Sequence, residues 1–116
     1  MRIIKFYRTE TSNCPVEDFL KNLSDKQAKK VAWTLRVVRE LEQVPSQYLK
    51  KLKSTDDIWE VRVIFGNNTF RFLGFFDGPE LIVLTSGFAK KTNKVPKQEI
   101  ETAEARKRDY YRRKER

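Results

Sequence analysis

From Ile58 onward the apolar residues fall at every second position, and this alternation constrains the fold more than any other feature of the chain. Trp59, Val61, Val63 and Phe65 lie on one side of an extended segment, and Glu60 and Arg62 lie on the other. Gly66-Asn67-Asn68 is turn chemistry, and Phe70-Arg71-Phe72-Leu73 begins a return strand. Asp77-Gly78-Pro79 marks a second turn before Leu81-Ile82-Val83-Leu84. Pro79 has no N–H to close a two-residue hairpin, so a longer loop is expected there.

The remaining segments follow a helical period. Ile3-Ile4-Lys5-Phe6-Tyr7-Arg8 reads as a short opening strand. Pro15 suits the first position of a helix, with Glu17 and Asp18 where the helix dipole favours acids. Val16, Phe19, Leu20 and Leu23 form one buried stripe. Ser24 with Gln27 is a capping box that starts a second helix. Its stripe is Ala28, Val31, Ala32, Leu35 and Val38, and Pro45 is expected to stop it. Two consecutive helices joined near Ser24 suggest an antiparallel pair. Pro96 opens a last helix-compatible segment. The expected order is β-α-α-β-β-β-α: one α+β domain over residues 1–116, with an antiparallel sheet flanked by two N-terminal helices and a C-terminal helix.

Composition narrows the chemistry. The chain has no histidine and a single Cys14, which excludes the usual zinc sites, an internal disulfide and any catalytic imidazole. No apolar run is long enough for a membrane span and the N-terminal residues are too few for a signal peptide, so a cytoplasmic protein is expected. Twenty-five Lys and Arg against sixteen Asp and Glu leave a net charge of +9. A small domain this basic points to a polyanionic partner, whose counterions are released by phosphate contacts. The alternative is that Lys and Arg only keep the domain soluble.

The hairpin sharpens this. Either register allowed by a two-residue turn near Asn67 places Arg62 and Arg71 on the same face, and one of them makes the two direct neighbours. Adjacent guanidiniums repel, so an ordinary solvated sheet gains nothing from the arrangement. An anion held between them removes the penalty. The other readings are that both are screened by solvent or paired with Glu60. An even-numbered loop at Asp77-Gly78-Pro79 adds Leu84, Ser86 and Phe88 to the arginine face, whereas a three-residue loop reverses that parity.

Two lysine clusters flank the hairpin: Lys50, Lys51 and Lys53 before it, and Lys90, Lys91, Lys94 and Lys97 after the last strand. The basic stretch from Arg106 to Arg116 contains Tyr110 and Tyr111. It reads either as a phosphate-gripping, base-stacking tail or as a solvated helix whose tyrosines lie on the sheet.

Several blocks resemble the phage-derived, HigB-like branch of the RelE/ParE toxin superfamily. They are Pro15-Val16-Glu17-Asp18-Phe19-Leu20, Leu49-Lys50-Lys51-Leu52-Lys53, Ile58-Trp59-Glu60-Val61-Arg62-Val63 and Phe70-Arg71-Phe72. The strongest is Gly87-Phe88-Ala89-Lys90-Lys91-Thr92-Asn93-Lys94-Val95-Pro96, followed by Glu99-Ile100-Glu101 and Ala103. It is similar to the family pattern G-F-x-K-K-T-x-K-x-P-x-x-E-I-x-x-A. The blocks keep the family's order over nearly the whole chain.

The resemblance implies a RelE-like fold and the toxin of a type II toxin–antitoxin system. Such a toxin is an mRNA endoribonuclease that works on the ribosome without metal or other cofactor and is neutralised by a helix-turn-helix antitoxin. The ribose 2′-hydroxyl attacks the adjacent phosphate and leaves a cyclic phosphate and a 5′-hydroxyl. By position, Arg62 and Arg71 hold the scissile phosphate, and Lys53, Lys90 and Lys91 bind the RNA backbone, one of them supplying a proton. Lys50, Lys51, Lys94 and Ser86 join the RNA-binding set, and Phe88 stacks a base. Ser86 stands where many relatives carry a histidine, and serine is a poor general acid or base. The alternatives are a toxin that inhibits gyrase or the ribosome by binding alone, and a degenerate toxin that only binds antitoxin.

Overall fold

The computed structural model describes residues 1–90 and 93–115. Eight elements follow the order β-α-α-β-β-β-β-α: β1 (Ile3–Phe6), α1 (Pro15–Leu20), α2 (Asp25–Glu40), β2 (Leu49–Lys51), β3 (Trp59–Phe65), β4 (Asn68–Asp77), β5 (Leu81–Ala89) and α3 (Lys97–Lys114). The strands form one sheet in the order β1-β5-β4-β3-β2. All neighbours are antiparallel except β1, which runs parallel to β5. The α+β class and the alternating hairpin are as the sequence indicates. The additional strand β2 is three residues long, and two of these are exposed lysines, so it carries no alternation; lysines are a common guard of a sheet edge.

Two apolar layers sandwich the sheet. On one face α1 and α2 cover Val61, Val63, Phe70, Phe72, Ile82 and Leu84. On the other, α3 covers Ile58, Leu73, Phe75 and Val83. Phe72 and Phe75 are fully buried, and each such side chain contributes roughly 1.5–3 kcal/mol relative to exposure. The two N-terminal helices do not make the expected antiparallel pair: α1 rests mainly on β5 and α2 on β3.

The capping box at α2 is complete, with Gln27 N–H donating to Ser24 Oγ at 3.2 Å and Ser24 N–H to Gln27 Oε1 at 2.9 Å. The helix ends at Glu40, before Pro45 has any influence. Its stop is tertiary: the Arg2 guanidinium donates to the carbonyls of Val38, Leu41 and Glu42, and Leu41 is already extended. Ala32 is exposed, and Thr34 takes the buried place in the stripe by donating its hydroxyl to the Lys30 carbonyl at 2.9 Å.

The β3–β4 loop is the two-residue Gly66-Asn67, with Gly66 at φ +58°, a left-handed conformation that glycine adopts without penalty. Arg62 therefore pairs directly with Arg71. The β4–β5 loop is the three-residue Gly78-Pro79-Glu80, which sets Asp77 against Leu81. The register then shifts by one residue, because Gly74 pairs with Leu84 but Leu73 pairs with Ser86, leaving Thr85 as the extra residue. Leu84 thus faces the α1–α2 layer, whereas Ser86 and Phe88 face α3 with the arginines. Of the expected trio Leu84, Ser86 and Phe88, only the last two share the arginine face.

Candidate nucleic-acid interface

Strands β3, β4 and β5 bring Arg62, Arg71 and Phe88 into one row across the sheet. The adjacent row holds Glu60, Leu73 and Ser86, with Lys50 of β2 opposite Glu60. Both arginines turn to the Glu60 carboxylate. Arg71 Nη1 lies 2.8 Å from Oε2 and Arg62 Nη2 lies 3.3 Å from Oε1. Glu60 and Arg71 are only 2% and 3% exposed at their side chains, while Arg62 is 29% exposed. Pairing with Glu60, one of the readings open from sequence, is thus the arrangement found. One carboxylate against two guanidiniums still leaves one positive charge, and repulsion between the neighbours is offset internally without an anion. The second Arg71 amino group donates to the Asn93 carbonyl at 3.4 Å. Arg62 Nε and Arg71 Nε are buried and make no hydrogen bond among the described residues.

Beside this triad lies a cleft of about 340 Å³ lined by Arg71, Phe88, Ala89, Lys90, Lys94, Pro96 and Glu99. Arg71 forms part of its wall from a buried position. Phe88 is half-buried, with one side against Ile58, Leu73 and Ala103. Lys90 leaves the end of β5, its backbone N–H held by the Thr69 carbonyl at 2.8 Å, and its side chain is half-buried. The cleft therefore combines an aromatic face, two ammonium groups and one carboxylate, a set that suits a phosphodiester with an unstacked base.

The other residues singled out from sequence lie elsewhere. Ser86 is 4% exposed, and its hydroxyl sits 3.1 Å from Arg106 Nη1 and 3.2 Å from the Thr85 hydroxyl, so it faces the interior. Lys51 points to the opposite sheet face with Trp59 and pairs with Asp57 at 2.8 Å; its ammonium holds the Asp57 carboxyl below the usual carboxylate range. Lys53 is exposed in the turn after β2 and does not line the cleft. Lys91 lies outside the described residues. Tyr110 and Tyr111 lie against Phe75, with the Tyr110 hydroxyl donating to Asp77 at 2.7 Å, so the tyrosines of the basic tail belong to the sheet.

Three contributors escaped sequence reasoning. Glu99 lies in the quoted pattern, which assigns it no role. Arg106 donates to the Thr85 carbonyl at 2.8 Å, satisfying the backbone where the register shifts. The Asn93 carbonyl orients Arg71 through main chain, which no residue type announces. Among the described residues no group of three or more His, Cys, Asp or Glu could hold a metal ion, and no helix is long and apolar enough to cross a membrane.

Comparison with protein families finds a match over residues 18–108 to the model described as phage-derived protein Gp49-like. Comparison with curated proteins gives no match.

Proposed function

This chain belongs to the phage-derived Gp49-like family, part of the HigB/RelE-like toxin group, and from that premise we propose that it is an mRNA endoribonuclease acting on the ribosome, held in check by a helix-turn-helix antitoxin. The observation that carries the reading is the cleft in which Phe88, Lys90 and Lys94 surround a wall formed by Arg71. Half-exposed Arg62 lies directly across the strand pair.

In this reading Phe88 stacks an unpaired base, and the lysines draw the flanking phosphates. Arg62 meets the charge that develops on the scissile phosphate as the 2′-hydroxyl attacks it. Arg71 is a positioning residue, since its guanidinium is shielded by Glu60 and reaches the substrate side only as cleft wall. The products are a 2′,3′-cyclic phosphate and a 5′-hydroxyl.

The Glu60 pairing favours one competing reading, a toxin of the same fold that binds its target without cutting. Brief induction followed by mapping of RNA 5′ ends separates the two. New 5′-hydroxyl ends within coding regions, lost in Phe88→Ala and in Lys90→Ala, are expected. Growth arrest with no new ends establishes the non-cutting toxin instead.

A further inference from the structure

We propose that Glu99 is the group that takes the proton from the attacking 2′-hydroxyl, an inference that rests on the endoribonuclease reading of the cleft. A transesterification of this kind needs a proton acceptor as well as cations, and the chain has no imidazole to offer. Among the described residues lining the cleft, Glu99 is the one carboxylate.

Its surroundings separate it from the other acids of α3. Glu101 lies 3.9 Å from Lys97, Glu104 accepts from the Asp56 N–H at 2.9 Å, and Asp109 accepts from Tyr7 at 2.6 Å. The Glu99 carboxylate makes no hydrogen bond or ion pair with any described residue, although the side chain is half-buried. A glutamate at the third position of a helix ordinarily reaches back to the N–H of the capping residue. Here the cap is Pro96, which has no N–H, so that structural use is closed. The helix dipole favours an acid in this turn but does not require it to line a cleft shared with Arg71, Lys90 and Lys94.

The step balances without a further reactant. A Glu99 carboxylate oxygen accepts the 2′-hydroxyl proton as the 2′-oxygen bonds to phosphorus. The bond from phosphorus to the 5′-oxygen breaks, and that oxygen keeps the electron pair and takes a proton from the Lys90 ammonium. Lys90 is placed for this, since it lines the same cleft and no described residue pairs with its ammonium. Exchange with water then returns the proton from Glu99 and restores the one on Lys90.

The test is single-turnover cleavage of mRNA on programmed ribosomes by the whole protein, with product ends identified. Glu99→Gln keeps the size of the side chain and is expected to cut about 100-fold more slowly, the low end of what general-base catalysis contributes. Its affinity for ribosomes carrying a 2′-O-methyl-blocked mRNA stays within about twofold, as expected when only a transition-state interaction is lost. Added formate raises the rate of Glu99→Ala but not of wild type. Wild-type speed in Glu99→Gln, or parallel loss of binding and cutting, overturns the assignment while leaving the nuclease reading intact. A wild-type protein that makes no 5′-hydroxyl ends overturns both.

Discussion

Glu60 and Arg71 form an ion pair of 2.8 Å in which neither side chain is more than 3% exposed. Arg62, its direct cross-strand neighbour, reaches the other oxygen of the same carboxylate.

Removing one partner of such a pair strands a buried charge, so Glu60→Ala or Arg71→Ala is expected to cost about 3–5 kcal/mol in urea denaturation. Arg62→Ala, at a more exposed position, costs distinctly less. A loss below about 1 kcal/mol for Arg71→Ala means that the pair is not holding the sheet face together. Arg62→Ala is therefore the cleaner probe of toxicity, because Arg71→Ala reports folding as well as chemistry.

The lysines of the cleft carry a salt signature. Each phosphate contact on single-stranded nucleic acid adds about 0.7 to the slope of log affinity against log salt. Lys90→Gln with Lys94→Gln is expected to lower the slope by about 1.4 if both meet phosphates. The corresponding changes at Lys51, which faces the other side of the sheet and is paired with Asp57, leave the slope unaltered. Titration of a non-cleavable RNA at several ionic strengths reads both.

Gly74 and Gly87 are spaces rather than hinges. A Cβ at Gly74 collides with the Val83 carbonyl, a backbone atom that cannot step aside. At Gly87 it meets Phe19 Cδ2 and Phe72 Cε1, each at 2.8 Å. Gly74→Ala is expected to lower the melting temperature most and Gly87→Ala next. Gly66→Ala meets nothing within 4 Å and bears only the left-handed backbone penalty of about 1–2 kcal/mol. Thermal denaturation ranks the three.

Acid and alkali act on the seam between α3 and the sheet. The hydroxyl of Tyr7, with Arg112 and Arg113, holds the Asp109 carboxyl down to about 2 from 3.8. A depressed folded-state value stabilises the protein fully above the ordinary carboxylate range, and that contribution is lost as pH falls from about 4 through about 2. Burial and the neighbouring Asp77 push Tyr110 up to about 12 from 10.0, so its contribution is lost as pH rises through that interval. Melting temperatures followed across pH are expected to fall at both extremes. Asp109→Asn shows a shallower fall at the acid end and Tyr110→Phe at the alkaline end.

Much of the hairpin was legible because strand parity is arithmetic: a two-residue turn fixes which side chains share a face, and Arg62 and Arg71 follow. Capping at Ser24 was legible for a similar reason, since both partners lie within one turn. What sequence reasoning missed depends on contacts distant in the chain. Arg2 ends α2 by reaching the carbonyls of Val38, Leu41 and Glu42. Arg106 donates to the carbonyl of Thr85 and, through the same nitrogen, to the Ser86 hydroxyl. Glu60 was one of several partners open to the arginines, and its 2% exposure is a property of the folded sheet that no local pattern encodes.

Thr85 makes β5 a strand with two handednesses of address. Up to Leu84 its odd-numbered residues look toward α3; beyond Thr85 its even-numbered ones do. Were Thr85 instead paired regularly with Leu73, Phe88 would fall opposite Phe70 in the layer that already holds Phe72, and the bare backbone of Gly87 would border the lysines. The identity of the cleft is thus written in one strand's slippage: ironing out the irregularity with Thr85 retained would exchange an aromatic platform for an empty wall without altering one charged side chain, whereas deleting Thr85 would leave Phe88 opposite Arg71.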